Sequence, residues 1–152
     1  DDFARRVEDE VMIGESLLIA PVYEQNARGR YVYLPEEMLQ VRVKCSESNR
    51  METSVLPAGH HYIPVELDEV VFYVRKGHLL PLAKNGKKIQ SVADVDFADL
   101  RLLAYAPDGA SYEYYTDDGE TKDYDKPEHF VQITLDADGN AKSDRATVKV
   151  EG

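Results

Sequence analysis

Hydrophobic positions in this chain fall mostly in short runs, and the first run sets the reading. Leu17-Leu18-Ile19-Ala20 is unbroken by any polar residue and is bounded by Gly14 and Pro21. Without the alternation of a strand that has one wet face, it predicts a strand covered on both sides. Residues 70–74, Val-Val-Phe-Tyr-Val, are equally continuous and predict a second central strand. Residues 39–45, Leu-Gln-Val-Arg-Val-Lys-Cys, instead alternate cleanly, as a strand with one face in a core does. Residues 30–34, 61–67, 78–82, 100–106, 111–116, 130–135 and 146–150 read as further strands.

Turn residues separate these runs. Pro35 closes its strand because it cannot donate to a ladder. Leu56-Pro57-Ala58-Gly59-His60, Pro107-Asp108-Gly109, Asp117-Asp118-Gly119-Glu120 and Asp136-Ala137-Asp138-Gly139 carry turn chemistry. Only residues 1–12 show helical spacing, with Phe3, Val7 and Val11 on one face, Asp1 or Asp2 as cap, an Asp2–Arg6 pair and Gly14 as stop. An amphipathic helix there needs a surface for its stripe. Asn85-Gly86-Lys87-Lys88 has no apolar anchor and marks a domain boundary. The expected fold is all-β, as two small antiparallel β-sandwich-type domains with a short N-terminal helix.

Composition narrows the function. The 152 residues carry 18 Lys and Arg against 29 Asp and Glu, a net charge of −11. That balance argues against nucleic acid and against an anionic membrane as partners. The length suits one ordinary domain or two small ones and is too short for an eight-fold barrel enzyme. The acid is uneven, residues 1–84 carrying 10 basic and 14 acidic side chains and residues 85–152 carrying 8 and 15. One cysteine, Cys45, excludes an internal disulfide and a Cys-rich zinc site, and it is expected to be core or half-buried. No run reaches the ~18 apolar residues of a membrane span, and no signal peptide opens the chain. The first residue is Asp1 rather than Met, which points to a piece of a longer polypeptide.

Candidate chemistry is sparse. Asp117, Asp118, Glu120, Asp123 and Asp125 could hold a hard cation, but their spacing is not that of the twelve-residue calcium loop, and a solvated hairpin turn explains them. His60 and His61 are adjacent on an extended segment, so they point to opposite faces and do not converge on a metal. Tyr31 with Tyr33, and Tyr112 with Tyr114, align at i and i+2 and could stack on sugar rings, although tyrosines at a sheet edge or interface are commoner. Arg75 is a candidate partner for a carboxylate of the opening helix. No cofactor is implied.

Several stretches together resemble the C-terminal portion of glycoside hydrolase family 31, the α-glucosidase and α-xylosidase family. Residues 7–14 followed by Leu17-Leu18-Ile19-Ala20-Pro21-Val22 resemble its passage out of the catalytic barrel. Arg30-Tyr31-Val32-Tyr33-Leu34-Pro35 resembles the next strand, residues 74–82 resemble the close of the proximal domain, and Tyr115-Thr116-Asp117-Asp118-Gly119-Glu120-Thr121 resembles a hairpin of the distal one. The resemblance implies a helix at 1–13 left from the end of a (β/α)8 barrel, a proximal β-domain at 14–84 and a distal β-domain at 85–152. Thr116 stands where the family usually has Glu, and residues 38–58 lack its Trp-bearing strand, departures that point to a bacterial, cytoplasmic branch.

By the same resemblance the family's nucleophile is an Asp in a Trp-Asp-Met-Asn-Glu type motif. This chain has no Trp and no Asp-Met-Asn, so no catalytic residue is carried over. The leading expectation is a non-catalytic region that supports the catalytic barrel of the same polypeptide, whose reaction would be retaining hydrolysis of terminal α-glucosidic bonds. The alternatives are a carbohydrate-binding module built on the tyrosines and a domain for self-association of the parent as a homo-oligomer.

Overall fold

A computed structural model of the chain describes all residues except 48–49, 85–88, 118–119, 121, 123–124, 144–146 and 151–152. It is all-β, with no helix beyond short 3-10 turns among the described residues. The chain divides into two compact units, Asp1–Lys76 and Gly77–Gly152.

The first unit holds β1 (Val11–Ile13), β2 (Leu17–Ile19), β3 (Gly29–Leu34), β4 (Met38–Lys44), β5 (Arg50–Leu56), β6 (Gly59–Pro64) and β7 (Glu69–Arg75). Five strands form one antiparallel sheet in the order β1-β2-β7-β4-β5, and β3 pairs with β6 in a second. The two sheets share a core in which Leu18, Met38 and Tyr73 of the larger meet Val32, Leu34 and Ile63 of the smaller. The continuous run at 70–74 is indeed central. β7 lies third of five, with Tyr73 facing that core and Val74 buried on the opposite face.

The second unit is built from β8 (His78–Ala83), β9 (Asp99–Tyr105), β10 (Ala110–Tyr115), β11 (Phe130–Leu135), β12 (Ala141–Ser143) and β13 (Thr147–Val150). Its sheets are β13-β9-β8, with β13 parallel to β9, and the antiparallel β10-β11-β12. Leu79, Leu100 and Leu102 from one sheet close on Ile133 and Leu135 from the other. Residues 78–83, expected on the first domain's side of a boundary at 84/85, are hydrogen-bonded along β9 and belong here.

The helix expected at 1–13 is not formed. Residues 1–10 contain a single 3-10 turn, Ala4–Arg6, and Val11–Ile13 is a strand paired with β2. A helix of about three turns is marginal on propensity alone, whereas the β-branched Val11 and Ile13 suit a pleated edge. Gly14 ends the element as expected, but as a φ +61° residue in the β1–β2 turn. Cys45 also departs from expectation. β4 ends at Lys44, so the thiol sits on the following turn and is exposed.

Candidate functional site

The most tightly held group in the first unit is the guanidinium of Arg30 on β3. It faces inward, with 9% of the side chain exposed. Its Nη2 meets the Asp9 carboxylate at 2.6 Å and the Glu10 carboxylate at 3.8 Å. Nη1 donates to the carbonyls of Asp9 (2.9 Å) and Pro21 (2.8 Å), and Nε donates to that of Tyr31 (2.9 Å). One planar fork therefore fixes the opening segment, the end of β2 and β3.

Glu10 is buried, with 6% of its side chain exposed, and accepts the Tyr33 N–H at 2.7 Å. Burial holds its carboxyl above the ordinary value, and the Tyr33 N–H and the Arg30 charge only partly oppose this. The opening carboxylates thus pair with Arg30, not with Arg75. Arg75 reaches Glu36 at 2.5 Å and the Glu15 carbonyl at 3.1 Å.

The outer face of the β3–β6 ribbon is aromatic. Register pairs Tyr31 with Tyr62 and Tyr33 with His60. Phe3 covers the second pair, 4.5 Å from each ring, and the Tyr33 hydroxyl donates to Asp1. The first pair stays open. Tyr31 is 71% exposed and Tyr62 54%, with their rings 5.2 Å apart at 66°. Beside them lies a cavity of about 440 Å³ whose walls include Tyr23, Glu24 and Arg28. The ribbon comes together here because Gly29 is buried where a Cβ would lie 2.4 Å from the Ile63 carbonyl oxygen.

Other predicted residues land elsewhere. Tyr112 and Tyr114 share a face, as their spacing required, but that face packs against the second core, and the Tyr114 hydroxyl donates to the Phe97 carbonyl at 2.8 Å. Asp117, Glu120 and Asp125 are exposed, while Asp118 and Asp123 lie outside the described residues. No group of three potential metal ligands occurs among the described residues. His60 and His61 point to opposite faces of β6, with His61 Nε2 2.8 Å from the Pro57 carbonyl. Tyr62 carried no sequence signal, because the β3–β6 register spans two intervening strands, and Tyr23 lies in the loop between β2 and β3.

A second feature is the face of the five-stranded sheet turned away from β3 and β6. Register sets Val11, Ile19, Phe72, Val41 and Thr53 in one row, and Ile13, Leu17, Val74, Leu39 and Val55 in the next. Nine of these ten positions are apolar. Val41 and Val74 at the centre are buried, while Val11, Ile13 and Val55 are exposed.

Comparisons with known proteins agree with this architecture. The family model described as the glycosyl hydrolase family 31 C-terminal domain matches residues 1–80. An alpha-xylosidase of Saccharolobus solfataricus is 31% identical over 134 residues, 86% of this chain and 17% of that protein. Neutral alpha-glucosidase AB of Mus musculus is 28% identical over 127 residues, 82% of this chain and 13% of its own length. The chain thus spans under a fifth of these relatives. Among solved structures, the alpha-1,4-glucan lyase of Gracilariopsis lemaneiformis superposes over the whole chain and 17% of its own, with a TM-score of 0.69 at 21% identity. The family 31 alpha-xylosidase of Xanthomonas citri does so with a TM-score of 0.65 at 20% identity, over 16% of its chain. At those identities the likeness speaks for the fold.

Proposed function

This chain belongs to the glycosyl hydrolase family 31 C-terminal domain family, and from that membership we propose that it braces the catalytic barrel of a longer polypeptide without taking part in the chemistry. The parent would be an α-glucosidase- or α-xylosidase-type glycoside hydrolase that cleaves terminal α-linked residues with retention. The named activities of its relatives support that class. The carrying observation is the outer face of the first unit's larger sheet, apolar at nine of its ten register positions, whose centre at Val41 and Val74 is buried while Val11 and Ile13 on β1 are left exposed. A sheet patterned that way is made to be covered twice. The occupant of the exposed β1 end of that face is the remainder of the same polypeptide, since the relatives are at least five times longer than the stretch matched here. Holding catalytic groups in register is worth a supporting layer, because small displacements are costly in rate.

Ile13 tests the reading. It is 52% exposed in this chain, so about half the value of a buried Ile, ~1 kcal/mol, is still to be gained on covering it. Ile13→Ser in the full polypeptide is expected to cost at least that much more stability than the same change in the isolated chain, and to lower kcat. Equal costs in both would refute the bracing role. The isolated chain is expected not to hydrolyse p-nitrophenyl α-glucoside, and measurable turnover by it would also refute the proposal.

A further inference from the structure

We propose that the notch formed by Tyr31, Tyr62 and Tyr23 on the first unit binds a neutral hexopyranose residue of an α-linked oligosaccharide, away from any site of hydrolysis. Two large rings on adjacent strands stand mostly in water on a surface where Tyr33 and His60, one register step along, are covered by Phe3. Their 66° interplanar angle makes them a notch and not a flat plate. One ring can lie under the C–H face of a pyranose while the other walls its edge, and both hydroxyls stay at the water boundary. The adjoining cavity, about 440 Å³, is of the size that holds small ligands.

The walls are fixed in advance by the Arg30 fork. Arg30 binds the Tyr31 carbonyl through Nε, and its guanidinium carbon lies 5.9 Å from the centre of the Tyr23 ring. A wall held by a buried cation loses little freedom on binding, which favours a weakly interacting ligand such as a sugar. The charge at the rim is balanced. Of the four charged side chains lining the cavity, Arg30 is paired with Asp9, and Arg28 and Glu24 add one charge of each sign. That balance suits an uncharged, hydroxyl-rich ligand, for which Arg28 and Glu24 supply one donor and one acceptor.

The choice of α-linked glucose as the sugar rests on the proposed function, whereas the stacking chemistry does not. The test is therefore made on the 152-residue chain itself, where no barrel is present and a failure of bracing has no effect. Maltotriose and isomaltotriose are titrated into isotopically labelled protein. Saturable shifts are expected at the amides of Tyr31, Tyr62 and Arg28, with affinity lowered about tenfold or more by Tyr31→Ala and retained in Tyr31→Phe. Tyr112→Phe, in the second core, is expected to change nothing. Unchanged dispersion of the Val32 and Ile63 amides establishes that Tyr31→Ala still folds, as its exposure implies; were it to unfold, Tyr62→Phe and Tyr62→Ala provide the same comparison. No saturable shift with either sugar, or shifts that survive the loss of the ring, would overturn the proposal.

Discussion

Replacing Arg30 with Met keeps an unbranched stem reaching about as far as Nε and removes the charge and all the donors. Three consequences differ in weight. The contact with Asp9 is short, at 2.6 Å, but 44% of that carboxylate's side chain is exposed, so its loss costs little. Glu10 is left buried with only the Tyr33 N–H, and stranding one member of a buried pair costs about 3–5 kcal/mol. The carbonyls of Asp9, Pro21 and Tyr31 lose their donors as well. Because burial already favours protonation of Glu10, the variant relieves part of its penalty by taking up a proton, and a net loss of about 3 kcal/mol near pH 7 is expected.

The pH dependence carries a definite sign. A carboxyl whose pKa is raised on folding contributes stability that is complete below its ordinary value and is lost as pH rises through the folded value. Removing Arg30 raises Glu10 further, so the penalty should be larger near pH 7 than near pH 4, where it falls below about 2 kcal/mol. The assay is urea unfolding of the first unit, followed by amide exchange at Val32 and Ile63. Adding Glu10→Gln to Arg30→Met should recover about 1–2 kcal/mol at neutral pH, since the buried charge is then gone. A loss under about 1 kcal/mol, or one equal at both pH values, would show that the fork is decoration.

Other expectations follow from single contacts. Gly29→Ala drives a methyl toward the Ile63 carbonyl at a φ of +153° and should cost about 2–4 kcal/mol, read as a lowered urea midpoint for the first unit. Ile133→Ala empties a fully buried site in the second core and should cost about 2–4 kcal/mol, seen as lost amide protection along β9 and β11. The Asp136 carboxyl is held below its ordinary value by the backbone and then the side-chain N–H groups of Asn140. Its contribution to the Asp136–Gly139 turn is therefore present above pH 3.8 and is lost as pH falls through the depressed value. A carbon-detected titration should find that value low, and Asn140→Ala should raise it partway.

What the sequence disclosed follows from which interactions are local. The continuous runs at 17–20 and 70–74 and the alternation at 39–45 are periodic, and each became a strand where expected. β5 was not legible, because Arg50-Met51-Glu52-Thr53-Ser54 carries a single apolar residue, as suits a sheet edge where both sides are wet. The opening segment misled for a physical reason. Phe3, Val7 and Val11 do recur at helical spacing, but Phe3 is used by Tyr33 and His60, while Val11 lies in the outer face of the large sheet. A stripe whose members serve different surfaces is no longer evidence of a helix. Spacing also aligned Tyr31 with Tyr33 and Tyr112 with Tyr114 correctly, yet it held no information on which face would be covered. The Arg30 fork joins residues about twenty positions apart and lay beyond any local pattern.

The first unit also shows a conflict between levels of the same sequence. Its inner sheet face mixes Met38, Leu18 and Tyr73 with the buried Gln40 and with Arg42, which is paired to Glu69 at 2.8 Å. Its outer face, apart from Thr53, is apolar across both central rows. Foldable sequences ordinarily put their most apolar face where the unit closes on itself. Here the polar network sits inside, and of the outer face the centre at Val41 and Val74 is buried while Val11 and Ile13 on β1 are exposed, so it is at β1 that the proposed bracing would find its contact. The Arg30 fork then has a further purpose. By tying residues 9 and 10 to β3, it holds the adjoining β1 strand to the unit, so the exposed Val11 and Ile13 stand on a fixed sheet and not on a loose end.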